Sequence, residues 1–131
     1  MPATLWAVLA AGCITNPVQP LQPALGQRFE LRAGAPALLQ GGLTIVFVNV
    51  ESDSRCPIDA VCIQAGDATV KLTLSHPSAS RVERDLHTDR SGASVTYLSY
   101  TIALAQLGPA PRASQTTRPN DYVATLVVTM R

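Results

Sequence analysis

Lysine, histidine and aromatic residues are scarce in this chain of 131 residues. Lys71 is the only lysine, there are two histidines, and aromatic residues make up 5% of the sequence. The net charge is +1, and charged residues are only 15% of the total. Because no basic stripe or acidic tail is present, we expect no nucleic-acid partner.

Sequence motifs for catalysis are missing as well. The chain has no Gly-x-Ser-x-Gly, no His-Glu-x-x-His and no phosphate-binding glycine loop. A Ser-His-Asp site would need His76, which precedes Pro77 in a turn, or His87, which lies between charged neighbours. Both positions are typical of solvated surface histidines. We therefore predict no catalytic residue, no metal site and no cofactor.

What the sequence does contain is three cysteines, of which Cys13 stands apart. It follows an apolar run, Leu5 to Gly12, that is shorter than the roughly 20 residues a membrane-spanning helix needs. Small residues precede it, and the segment 1–13 resembles a bacterial lipoprotein signal, in which the cysteine is acylated and becomes the first mature residue. The segment departs from such a signal in two ways: no Lys or Arg precedes the apolar run, and Ala10 stands where a larger aliphatic residue is more usual. The alternative is an ordinary apolar segment with a buried thiol.

The next segment, residues 14–26, has Pro17, Pro20 and Pro23 at a spacing of three. Three residues per turn is the repeat of polyproline II, which makes a semi-rigid extended spacer. We predict a linker here, with a disordered leader as the alternative, and one folded domain over residues 27–131.

Apolar residues recur with a period of two in that domain. They alternate with polar ones in Ala68–Ser75, and Tyr122–Met130 also has a period of two, so each segment predicts a strand. Leu43–Val50 is apolar on nearly both faces, which is typical of a central strand. Further strands are predicted at Arg28–Arg32, Arg81–His87 and Ser94–Leu104, the last of which is long enough to bend or bulge.

No segment combines a helical period with caps, and turns rich in Gly and Pro separate the strands. The fold class is therefore all-β, an antiparallel β-sandwich of about six to eight strands, immunoglobulin-like or related, with a partly closed barrel as the alternative. If Ser94–Leu104 is one strand, Tyr97 and Tyr100 lie on its opposite faces.

The remaining cysteines, Cys56 and Cys62, are six positions apart. Zinc ligands usually occur as closer cysteine pairs with two further ligands, and the two histidines are not spaced as such a pair. In an exported chain a disulfide is the better interpretation. Closing so short a loop contributes only about 2 kcal/mol, so we expect it to fix local shape.

Polar residues are densest around this cysteine pair. The candidate binding or structural residues are Asp53, Ser54, Arg55, Pro57 and Asp59. The first interpretation is a structural lock in which Arg55 pairs with carboxylates. One alternative is a calcium site formed by Glu51, Asp53 and Asp59, although the ligand spacing and turn glycine of a calcium loop are absent. A second is an inhibitor loop that offers Arg55 to a trypsin-like protease. Residues 105–121 form another candidate binding loop or a connector.

The segment from Asp53 to Gly66 resembles the motif D-S-R-C-P-x-D-x-x-C-x-x-A-G of small bacterial exported proteins and lipoproteins. With the strands that follow, the likeness covers most of residues 28–130. Such sequences often have an aromatic residue, usually Trp, two positions after the second cysteine, where this chain has Gln64. The resemblance implies an exported β domain and supports a Cys56–Cys62 disulfide, but it implies no activity.

Together these features predict a non-catalytic binding or structural module of the bacterial cell envelope. It would be held at the membrane by a lipid on Cys13 and would have a possible envelope protein as partner; without the lipid it would be secreted or periplasmic. The alternative function is inhibition of an exported protease or other hydrolase through the disulfide-closed loop.

Mass spectrometry of the membrane fraction tests the lipid anchor. We expect a mature chain that begins at Cys13 and carries acyl chains on that residue. A chain that retains residues 1–12, or one with an unmodified Cys13, would contradict the prediction.

Overall fold

The computed structural model describes residues 20–131, so the predicted signal segment 1–13 and residues 14–19 of the linker lie outside the described residues. Within this part of the chain there are eight strands and two short 3-10 turns. The strands are β1 Arg28–Arg32, β2 Pro36–Leu38, β3 Thr44–Asp53, β4 Ala68–His76, β5 Ala79–His87, β6 Ser94–Tyr97, β7 Tyr100–Gly108 and β8 Val123–Met130. The described part contains no helix long and apolar enough to cross a membrane.

The strands form two four-stranded antiparallel sheets, in the orders β2-β3-β4-β5 and β1-β8-β7-β6. This confirms the predicted antiparallel β-sandwich. Strands that follow each other in sequence are neighbours within each sheet, and the chain changes sheet only between β1 and β2 and between β5 and β6. Each connection that stays within a sheet therefore joins neighbouring antiparallel strands, which differs from the Greek-key connections of the immunoglobulin type.

The period of two explains the core between the sheets. In β4 every second residue from Ala68 to Leu74 is fully buried, and β8 buries Ala124, Leu126 and Val128 in the same way. In β3 only one face enters the core, through Ile45 and Phe47, while the neighbouring Val48 is partly exposed. The largest fully buried side chains are Phe47, Leu31, Leu43, Ile45, Leu72, Leu74, Leu86, Ile102, Leu126, Val70 and Val128.

The prediction of one strand over Ser94–Leu104 is wrong, because this segment is the hairpin β6–β7. The turn is made by Leu98 and Ser99, and Leu98 has a φ of 54°, which is uncommon for a branched side chain. Tyr97 and Tyr100 are consequently paired across the hairpin and both are buried, instead of lying on opposite faces. Their hydroxyls donate hydrogen bonds to the carbonyls of Ser80 and Gln40, at 2.9 Å each.

The sandwich has two distinct ends. The segments 54–67, 88–93 and 109–122 connect strands at one of them, which we call the loop end. The hairpin turns 76–78 and 98–99 lie at the opposite end. All five residues proposed from sequence as a binding or structural loop are therefore at the loop end.

Candidate functional site

The connection from β3 to β4, residues 54–67, is the stapled loop. At its base, backbone hydrogen bonds extend the pairing of β3 with β4 beyond the regular strands. Ser54 N–H donates to Asp67 O at 2.7 Å, and Cys56 N–H donates to Ala65 O at 2.9 Å. The predicted disulfide is present between Cys56 and Cys62, whose Cα atoms are 5.9 Å apart. Such a bond fits an oxidising, exported environment. The loop is thus closed twice, at its base and near its middle.

Arg55 makes a bidentate ion pair with Asp53. The Nε and Nη2 groups of Arg55 donate to the two carboxylate oxygens, each at 2.8 Å. The side chains are only 14% and 13% exposed, respectively. This is the lock that the sequence predicted as the first interpretation, with Asp53 as the acidic partner. Parallel N–H···O bonds of this kind fix geometry as well as adding energy.

The pair also joins the two sheets. Arg55 Nη1 donates to the carbonyl of Leu107 at 2.7 Å, and Nη2 donates to that of Pro109 at 3.1 Å. Tyr122 directly precedes β8, and its hydroxyl donates to Asp53 Oδ2 at 2.9 Å. We call Asp53, Arg55 and Tyr122 the cross-sheet cluster, because they bond the end of β3 in one sheet to β7 and β8 in the other.

The cluster changes the acidity of its members. The hydrogen bond from Arg55 lowers the pKa of Asp53 more than burial raises it, and the bond from Tyr122 lowers it further. The same bond to Asp53 raises the pKa of Arg55. Burial first, and then the adjacent Asp53 carboxylate, raises the pKa of Tyr122. At neutral pH the cluster is therefore an ion pair with a neutral phenol.

The other candidate residues also bond within the domain. Ser54 Oγ donates to Asp67 O and accepts from Asp67 N–H. Asp59 accepts a hydrogen bond from Ala113 N–H at 2.8 Å, and the carbonyl of Pro57 accepts one from Ala60 N–H at 3.1 Å. These contacts fasten the stapled loop to itself and to the segment 109–121.

The calcium hypothesis does not fit this arrangement. Asp53 is paired with Arg55, Asp59 accepts from a backbone N–H, and Glu51 forms an ion pair with Lys71. Among residues 20–131 no group of three or more His, Cys, Asp or Glu side chains is placed to hold a metal ion. The three carboxylates proposed as ligands are thus directed to three different partners.

A second polar cluster, which the sequence analysis did not predict, lies beside the loop. Asp67 Oδ2 is 2.7 Å from His87 Nδ1, and Asp67 Oδ1 accepts hydrogen bonds from Thr88 Oγ1 and Asp89 N–H, at 3.0 Å each. Burial raises the pKa of Asp67, but the bonds from Asp89, His87 and Thr88 together lower it below its ordinary value. His87 is therefore a half-buried partner of the loop base, whereas His76 bonds the Gly41 carbonyl at the opposite end.

Gly66 permits a close approach between the two backbone segments at the base of the loop. It has a φ of +71°, and a Cβ at this position would overlap the carbonyl oxygen of Ser54 and lie 2.6 Å from the Ser54 carbonyl carbon. Only glycine satisfies both conditions. This gives a physical reason for a glycine at position 66. Gln64, two positions before it, is exposed.

Three apolar side chains, Ile58, Val61 and Ile63, point away from this fixed base. They are 59%, 103% and 104% exposed. The charged residues of the same loop, Arg55, Asp59 and Asp67, are all hydrogen-bonded within the domain. We call the three side chains the apolar tip. These side chains belong to the run Pro-Ile-Asp-Ala-Val-Cys-Ile at residues 57–63, in which only Pro57, Asp59 and Cys62 were predicted from sequence to have a role.

The neighbouring segment 109–121 forms a small depression of about 150 Å³ next to the stapled loop. It is lined by Pro109, Ala110, Arg112, Gln115, Thr116, Thr117 and Asp121. Ile58 N–H donates to the Pro111 carbonyl at 3.0 Å, so this segment supports the loop from one side.

Comparison with known proteins adds no assignment, since no family model, no curated protein and no solved structure matches the chain.

A pair of glycine variants tests the tight base of the loop. Gly66→Ala should destabilise the domain well beyond the about 1–2 kcal/mol that a left-handed backbone costs an alanine, because the new Cβ meets the Ser54 carbonyl. Gly26→Ala is the matched control: its φ is +79°, with nothing within 4 Å of the new Cβ. Urea unfolding measures both, and equal losses would contradict the role given to the close approach.

The acid dependence of stability tests the cross-sheet cluster. Because the folded pKa of Asp53 lies below its ordinary value of 3.8, its contribution is complete above about pH 4 and is lost as the pH falls through the folded pKa. Asp53→Asn should lower the free energy of unfolding by about 2 kcal/mol at pH 7. The difference in this free energy between the variant and the wild type should become smaller below about pH 4. Tyr122→Phe should lower the free energy of unfolding by a smaller amount. Urea unfolding from pH 2 to 8 measures this, and a gap that is constant with pH would contradict it.

Proposed function

We propose that this domain is a non-catalytic, envelope-associated binding module that uses the apolar tip as its contact surface and Cys13 as its lipid anchor. The observation that carries the proposal is the full exposure of Val61 and Ile63 on a loop whose base is fixed. Single exposed aliphatic residues are common on protein surfaces. Three of them within six positions, on a closed loop whose charged groups are bonded elsewhere, favour a contact site.

The energetics support contact through these side chains. Moving an aliphatic side chain of this size out of water is worth about 1.5–3 kcal/mol. The disulfide and the cross-sheet cluster hold the loop in one conformation before contact, so little conformational entropy is lost on binding. The apolar tip can therefore bind an apolar surface with a small contact area.

Inhibition of an exported protease or other hydrolase is the second candidate, and the disulfide-closed loop is the feature that favours it. Arg55, however, bonds Asp53 and two carbonyls and is mostly buried. It cannot enter the specificity pocket of a trypsin-like enzyme without breaking the cross-sheet cluster. An inhibitor would instead have to use the apolar tip, so this candidate ranks below a general contact module.

Photo-crosslinking in the native envelope tests the proposal. A benzophenone amino acid placed at Val61 in the full chain should give an adduct on irradiation, because the tip is in contact with its partner. Placed at Met130, which is 51% exposed at the opposite end, the same group should give little or none.

Both variants should unfold at the wild-type midpoint, since each position is exposed. An adduct at position 61 that disappears with Ile63→Ser supports the tip as a contact surface, whether the mass identifies a protein or a lipid. Absence of any adduct above the Met130 control would refute the proposal.

A further inference from the structure

We propose that the apolar tip rests in the interfacial layer of the bilayer that holds the Cys13 anchor, so that the domain stands on the membrane with its loop end down. This inference rests on the proposed function, because it names the surface that the tip contacts. Four features support lipid over protein: the size of the tip, the direction of the chain, the length of the chain before Pro20 and the distribution of charge.

The tip is small for a protein interface. A stable protein interface takes about 800 Å² from each partner, far more than three aliphatic side chains on one short loop provide. A lipid interface requires neither that area nor a complementary shape, since apolar groups inserted beside headgroups contribute in proportion to their buried area. A covalent anchor close by further raises the local concentration of the membrane surface around the tip.

The direction of the chain brings the anchor to the same end. Leu21 pairs in parallel with Ala37 of β2, through Leu21 N–H to Pro36 O and Leu38 N–H to Leu21 O. Because β2 runs antiparallel to β3, and β3 ends at the stapled loop, this first described segment runs away from the loop end. The chain therefore enters the described segment, at Pro20, from the side of the loop end.

The length of the preceding chain matches the height of the domain. Cys13 is seven positions before Pro20, a reach of at most about 25 Å. The partner of Pro36 is Val46, and β3 rises seven positions from Val46 to Asp53, about 23 Å. An acylated Cys13 can therefore lie level with the loop end but not far beyond it, which keeps the apolar tip near the bilayer surface.

Charges at the loop end are compatible with this orientation. Arg55 is paired with Asp53, and Asp67 bonds His87, so neither faces the bilayer unpartnered. Asp59 is exposed beside Ile58 and accepts a hydrogen bond from Ala113 N–H, so its carboxylate has to stay at the level of the headgroups while the aliphatic side chains enter. The two flanking segments of the same end carry exposed Arg90, Arg112 and Arg118 together with exposed Asp89 and Asp121, so basic residues are in slight excess there. The arginine side chains can extend to phosphate groups while the aliphatic tip enters deeper.

The opposite end is the competing face, since Leu98 and Met130 are each 51% exposed there. Tryptophan fluorescence distinguishes the two orientations. The acylated chain that begins at Cys13, which has lost Trp6 with residues 1–12, receives one new indole, by Val61→Trp or by Met130→Trp. It is reconstituted into phosphatidylethanolamine and phosphatidylglycerol vesicles with brominated acyl chains. Any preference of the indole itself for the interface is the same in both proteins.

We expect the Val61→Trp protein to lose emission intensity and shift to the blue in brominated vesicles, and the Met130→Trp protein to change little. Ile63→Trp repeats the measurement if Val61→Trp does not reach the wild-type unfolding midpoint. Absence of quenching at position 61, equal quenching at both positions, or quenching at 130 alone overturns the inference. A protein adduct in the crosslinking experiment without quenching here would overturn the lipid assignment and leave the proposed function standing.

Discussion

The bidentate pairing of Arg55 with Asp53 is the interaction on which the loop end depends. Both side chains are nearly withdrawn from water, and neither could stay there as a charge without the other. Their remaining hydrogen-bonding capacity is directed to the second sheet, through the Leu107 carbonyl and the Tyr122 hydroxyl. This ion pair therefore fixes the first residues of the stapled loop to both layers of the sandwich, while the disulfide and the bonds to segment 109–121 hold the rest of the loop.

Much of the fold was predictable because burial in a sandwich imposes a period of two. The alternation in Ala68–Ser75 and in Tyr122–Met130 located β4 and β8 to within two residues. Two features were missed for local reasons. The β6–β7 turn has Leu98 at positive φ instead of Gly or Asn, and β2 is a three-residue edge strand that begins at Pro36. Neither gives the residue pattern from which turns and strands are predicted.

In the candidate site, only the contacts between residues close in sequence were predictable. The disulfide and the Asp53–Arg55 pair join residues within one short loop, so their spacing was informative. The partners in the other sheet, Leu107 and Tyr122, are more than 50 positions away, and only the strand order brings them together. The bond between Asp67 and His87 was missed for the same reason, because it depends on the pairing of β4 with β5.

The stapled loop also reverses the usual distribution of polar and apolar residues on a surface loop. Its charged side chains bond inward, while Val61 and Ile63 keep their whole surface in water. A loop that served only to connect two strands would gain nothing from this exposure, since polar residues at the tip would cost the fold nothing. The arrangement is understandable if contact with an apolar surface outside the domain recovers the hydrophobic free energy that folding leaves unused.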